Sequence, residues 1–182
     1  MTRILIIAAI APITALPVAG QPAKATNDKE MRMLGKTRAQ VQRQFNHRVG
    51  ADTGREYRQT NRGTVHLGVY YNKLNGKVEA VSYANTDRDH PFSDELMERL
   101  VRANLPKADW KSASRCLPLY LFPNKFPDID TYTVDAPGGN VYYVEIGKDL
   151  EHSASGTPDG DTYVLITNAA LATSLAHKSI HR

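Results

Sequence analysis

Val65-His66-Leu67-Gly68-Val69-Tyr70-Tyr71, then Asn72-Lys73-Leu74-Asn75-Gly76-Lys77, then Val78-Glu79-Ala80-Val81-Ser82-Tyr83, is the stretch that decides the fold. Val65, Leu67, Val69 and Tyr71 alternate with His66, Gly68 and Tyr70, the two-residue period of a half-buried strand. Asn75-Gly76 is the pair favoured in a type I′ turn, whose central residues need positive φ, so a second strand is predicted over 78–83. Pairing across that turn sets Tyr71 opposite Ala80 and Val69 opposite Ser82. It gathers Val65, Leu67, Val69, Val78 and Ala80 on one face.

Helix signals lie on both sides of this hairpin. Upstream, Thr37 with Gln40 three residues later fits a capping box, and Val41, Phe45 and Val49 make an apolar stripe that Gly50 is expected to end. Downstream, Ser93 reads as an N-cap with Asp94 and Glu95 in the first turn and Phe92 placed to staple onto Met97. Leu96, Leu100 and Val101 form the buried stripe, Leu105-Pro106 ends it, and Trp110 is expected to pack back on the core. Further on, 117–122 reads as an edge or irregular strand because Pro118 interrupts its apolar run and Pro123 follows it. Segments 131–135 and 141–146 flank Pro137-Gly138-Gly139-Asn140 as a second hairpin. The polar run 148–161 reads as an exposed loop, 162–166 as a last strand, and Asn168 as the cap of a short Ala-rich helix over 169–176. The predicted fold class is α+β: an antiparallel sheet built from hairpins, two main helices packed on one face, and a short C-terminal helix. A helix-then-strands unit occurs over 36–83 and again over 93–146, although the two halves do not align residue by residue.

The domain layout expected is a signal peptide at 1–25, a linker at 26–35 and a single α+β domain at 36–182. Arg3 precedes an apolar run over 4–11, Pro12 and Pro17 break up the next stretch, and Ala23-Lys24-Ala25 supplies small residues before a cut. That is the pattern of an export leader, with cleavage after Gly20 or Ala25, and its apolar length falls short of the ~20 residues a spanning helix needs. The expected location is therefore periplasmic or secreted, with no transmembrane segment in the mature chain. Cys116 is the only cysteine, so no intrachain disulfide forms, and its apolar neighbours place it as a buried thiol.

The formal charge of +4 is unevenly spread. Nine Lys/Arg face three acids between residues 29 and 62, whereas 12 basic residues face 15 acidic ones from Gly63 onward. Arg38, Arg43, Arg48, Arg55, Arg58 and Arg62, with Tyr57 among them, are the candidate binding residues, because guanidinium forks suit carboxylates and phosphates. The plain reading of the same segment is a solvated helix face followed by a polar loop. Aromatic residues are too sparse there for a single-strand platform, so nucleic acid is not the expected partner.

Asp87-Arg88-Asp89-His90 is the densest polar cluster. With His66 it forms the alternative enzyme site (His66, Asp87, Asp89 and His90), since carboxylates and an imidazole can share acid/base work. The structural reading is a charged turn closed by Pro91. No second ligand set stands at a recognisable spacing, and no nucleophile elbow or phosphate-cradling loop is present, so neither a metal nor another cofactor is expected.

Leu34-Gly35-Lys36-Thr37-Arg38-Ala39-Gln40-Val41 resembles the Gly-x-Thr-x-x-x-Val lead-in to the first helix of small bacterial envelope modules. That group includes the small lipoproteins of the outer-membrane β-barrel assembly machinery and β-lactamase-inhibitor-type proteins. The resemblance implies a helix before an antiparallel sheet and a role in binding other proteins. The chain departs from the group in having no lipidation cysteine and no Gly-x-Pro after Phe45-Asn46.

The function expected is an exported, non-catalytic binding module of the bacterial cell envelope that contacts a protein or an anionic polymer. The alternatives are a small secreted hydrolase with a His/Asp site and a structural envelope component.

Overall fold

The computed structural model describes residues 31–52, 54–60, 63–85, 87–116, 128–152 and 158–180. Their order is α1 (Arg38–Gln44), β1 (His47–Asp52), β2 (Arg55–Gln59), β3 (Val65–Tyr71), β4 (Val78–Asn85), α2 (Asp94–Asn104), β5 (Asp109–Arg115), β6 (Asp128–Ala136), β7 (Asn140–His152), β8 (Pro158–Asn168) and α3 (Ala169–Ile180). The strands among these residues form one antiparallel sheet of eight in the order β1-β2-β3-β4-β8-β7-β6-β5. Each half of the chain is thus a helix followed by a four-strand meander, and the halves join where β4 pairs with β8. The leader at 1–25, the strand expected at 117–122 and Arg62 lie outside the described residues.

The expectation of an α+β fold with two main helices packed on one face of a hairpin-built sheet is wrong: the molecule is mostly a single eight-strand antiparallel sheet with short helices. Strand dominates, and α1 has only 7 residues and α2 only 11. The excess strand comes from polar segments. β1 and β2 occupy the stretch expected as a helix end and polar loop, β5 falls where the sequence reading holds only Trp110, and β7 and β8 extend through most of the run expected as a loop. Pairing along a sheet satisfies backbone N–H and C=O groups whatever the side chains are, so a strand laddered by its neighbours needs no apolar alternation.

Local chemistry explains the element ends. The Thr37 N–H donates to Gln40 Oε1 at 2.8 Å, closing the capping box that starts α1. The helix stops at Phe45 rather than Gly50, because Phe45 turns extended and its carbonyl accepts from Arg58 Nη1 at 3.3 Å. Val49 therefore sits on β1, 50% exposed, instead of extending the stripe of Val41 and Phe45. Ser93 Oγ caps α2 by accepting from the Leu96 N–H, as its sequence indicated. Asn168 Oδ1 accepts from the Ala170 N–H at 3.0 Å at the start of α3.

The β3–β4 hairpin forms, but one residue out of the expected register. Val69 faces Val81, Tyr70 faces Ala80, and a bulge brings Tyr71 to Val78. The cause is the turn: Asn72 Oδ1 accepts from the N–H groups of Leu74 and Asn75, and the Asn72 N–H reaches Lys77 O at 2.8 Å, making a longer loop than a two-residue turn. Because side chains alternate, this shift moves Ala80 to the opposite face.

The main core fills one sheet face. Leu67, Val69, Val81, Tyr83, Val144, Val164 and Ile166 pack against Val41 of α1, Phe45 at its C-terminal cap, and Met97, Leu100 and Val101 from α2. The segment expected as the end of a linker belongs to this core. Met33 is fully buried, and Asn104 Oδ1 accepts from the Met33 and Leu34 N–H groups at 2.8 and 3.1 Å. Asn104 Nδ2 also donates to Leu100 O and Tyr83 Oη, tying the segment to α2 and β4.

A smaller cluster lies on the other face, where Ala172 of α3 packs with Tyr143, Tyr163 and Leu165. Under this roof Glu145 is fully buried, accepting from Tyr143 Oη at 2.5 Å and from Tyr163 Oη. Gly147 makes room for the Tyr163 ring, since a Cβ there would stand 1.8 Å from Tyr163 Cε1. Cys116, expected to be buried, is half-buried beside this cluster.

Candidate binding face

Cross-strand pairing places three rows of side chains on the face away from α1 and α2. Arg55, Tyr70, Ala80, Thr167 and Tyr143 form one row. Tyr57, Gly68, Ser82, Leu165 and Glu145 form the next, and Gln59, His66, Ala84 and Tyr163 the third. Over β7 and β8 this face carries α3. Over β2 and β3, Arg55, Tyr57, Gln59, His66 and Tyr70 are half-buried and belong to neither core cluster. Beside them the floor is made of small residues: Gly68, Ala80, Ser82 and Ala84.

Arg55 lies across that floor. Its Nη2 donates to Ser82 Oγ at 2.8 Å, and its guanidinium stands 5.5 Å from the Tyr57 ring centroid. Gly68 permits this approach, because a Cβ there would come within 2.4 Å of Ser82 Oγ and 3.2 Å of Arg55 Nε. Burial pulls the Arg55 pKa below its ordinary value, opposed by Tyr57 and Asp52. The guanidinium nonetheless stays charged and held in place.

The six arginines expected as one surface are divided. Arg58 is buried on the opposite face, ion-paired with the equally buried Glu56, and Arg38 Nε reaches the other oxygen of Glu56 at 3.0 Å. Arg38 also stacks over the Tyr71 ring at 4.8 Å. Burial and then the Glu56 charge raise the Tyr71 pKa. Arg43 is exposed on α1 and Arg48 exposed on β1. Arg38, Arg48 and Arg55 line one cavity of about 160 Å³ with Ala51, Asp52, Gly54 and Glu56. Arg58 is therefore a structural residue, and Arg55 serves the sheet face.

The alternative enzyme site does not assemble. His90 Nδ1 pairs with Asp87 Oδ2 at 3.1 Å on an 82% exposed ring, in a turn closed by Asn85 Nδ2 donating to the carbonyls of Asp87 and His90. Asp89 is exposed, and His66 stands on the sheet opposite Gln59 and Ala84, with no hydrogen bond or ion pair to the turn among the described residues. Glu145 is fully buried, with both carboxylate oxygens taken by tyrosine hydroxyls. No group of three or more His, Cys, Asp or Glu among the described residues is arranged to hold a metal ion.

Sequence reasoning missed Tyr70 and the Arg55–Ser82 contact. The period-two spacing of Arg55, Tyr57 and Gln59 was the available signal, masked by Glu56 and Arg58 on the buried side. No known protein family, characterised protein or solved structure matches this chain. Among the described residues no helix is long and apolar enough to cross a membrane.

Proposed function

We propose that the chain is a non-catalytic binding module, exported to the bacterial cell envelope, that holds a protein partner on the sheet face over β2–β4, which is helix-free among the described residues. One observation carries the reading: Arg55, Tyr57, Gln59, His66 and Tyr70 stand half-exposed outside both core clusters, around a floor of small residues. Tyrosine and arginine on a rigid platform supply much contact area at low entropic cost, which is why they dominate interface centres. The leader-like residues 1–25 and the resemblance to envelope modules support the location and the partner class.

The experiment is a pull-down from envelope extracts with the wild-type chain, the Tyr57→Ala/Tyr70→Ala double variant and Lys107→Glu as a remote control. The reading predicts a partner that the wild type and Lys107→Glu recover and the double variant loses. Equal recovery by all three removes the sheet face from the account.

A further inference from the structure

We propose that the cavity between α1 and the β1–β2 hairpin is a socket for a carboxylate side chain of an acidic protein segment. This rests on the binding-module reading only in naming a protein as the carboxylate's source. Arg38, Arg48 and Arg55 reach the cavity from α1, β1 and β2. Two of the three guanidiniums are held from behind: Arg38 by Glu56 at 3.0 Å and by the Tyr71 ring, Arg55 by Ser82 at 2.8 Å. Such fixed forks bind an anion without first losing rotamer freedom.

Arg48 is the informative residue. It faces Arg58 directly across the β1–β2 ladder, and like charges in that position destabilise a sheet. Glu56 offsets Arg58, whereas Arg48 is exposed on the cavity wall. The register shifts between Arg48 and Gly50, and a bulge of this kind re-aims the side chains beside it. An anion in the socket adds a counter-charge beside Arg48, across the ladder from Arg58.

Charge selects the anion. With Arg58 behind it, four guanidiniums stand against the carboxylates of Asp52 and Glu56, so the socket is net positive and takes an anion. A carboxylate brings a single negative charge beside the lining Asp52 and Glu56, where a phosphate dianion would bring two, and its planar pair of oxygens fits a guanidinium fork. The volume of about 160 Å³ suits one side-chain head group rather than a whole small-molecule ligand. Arg55 belongs both to the socket lining and to the sheet face that carries Tyr57 and Tyr70, so one partner can engage both.

The test is fluorescence anisotropy of labelled hexaglutamate on the full chain, with acetate and inorganic phosphate as competitors. The proposal expects saturable binding, weakened at least ~10-fold by Arg48→Glu, more mildly by Arg48→Gln, and within ~2-fold of wild type in Lys107→Glu. Thermal midpoints check that each variant is folded, and Arg48→Gln serves if Arg48→Glu does not fold. Equal losses in Arg48→Glu and Lys107→Glu, or no saturable binding, overturn the socket. Displacement by phosphate at lower concentration than acetate overturns the carboxylate assignment. Failure here leaves the pull-down's dependence on Tyr57 and Tyr70 intact, so the two readings fall separately.

Discussion

One sheet face has two characters. Over β7 and β8 it is roofed by α3 and seals Glu145 between Tyr143 and Tyr163; over β2 and β3 it leaves Tyr57, His66 and Tyr70 half-exposed. The N-terminal half places its buried charge on the opposite face, where Glu56 meets Arg58 and Arg38. Two halves of like strand order thus differ on the same surface, one packed under α3 and the other with its aromatic side chains half-exposed. Polar groups that hydrogen-bond inside the fold serve stability, and those left half-exposed on a rigid sheet are available to a partner.

Substitutions that break this contrast should differ in size. Arg58→Ala is expected to cost the most, about 3–5 kcal/mol in urea unfolding, because it leaves Glu56 buried with only an exposed partner. Glu145→Ala comes next at about 2–4 kcal/mol, since two buried hydroxyls lose their acceptor and a cavity opens under α3. A loss below about 1 kcal/mol at Glu145 would mean that α3 does not seal this site in solution.

Alkaline titration probes the same contrast. Burial, reinforced by Glu145, raises the Tyr163 pKa, and burial raises that of Tyr83 and pushes Tyr132 to about 12. In each case the folded state keeps its proton where the unfolded chain, near pH 10, begins to lose it. The native state then binds more protons, so stability is full below pH 10 and falls as pH rises towards 12 and beyond. Unfolding measured across this range should show the decline, with a shallower slope in Tyr163→Phe. A flat profile would contradict the buried setting of these rings.

The smallest expected effect falls on the helix-free side. Tyr70→Phe should change stability by less than about 0.5 kcal/mol, against about 1–3 kcal/mol for Tyr163→Phe, whose hydroxyl serves a buried carboxylate. Equal costs would erase the difference between the two regions.

Legibility in the sequence obeys the same physics. The Ser93 and Thr37 caps and the Val65–Tyr71 alternation were readable because each is a local rule written in adjacent residues. The hairpin register was not, since the Asn72 side chain captures the turn and moves the pairing of Val65 to Tyr70 by one and that of Tyr71 by two. β2 was hidden because its buried side holds Glu56 and Arg58, so Arg55–Gln59 shows no apolar alternation, and β1 because it buries no residue at all. The polar ends of β7 and β8 were hidden because each is laddered to the other. Arginine spacing announced a basic surface, and only tertiary pairing could divide Arg58, which is structural, from Arg48 and Arg55. The His90 turn was readable from Asp87 and Pro91, and it is a turn.

The central claim is that the sheet face over β2–β4 is a contact surface. Its most direct test is tyrosine-selective chemical labelling of the chain, free and in complex with the partner recovered by pull-down. The account predicts that Tyr57 and Tyr70 lose labelling in the complex while Tyr142, on the opposite face, is unchanged. Protection of Tyr142 with Tyr57 and Tyr70 still labelled would contradict it.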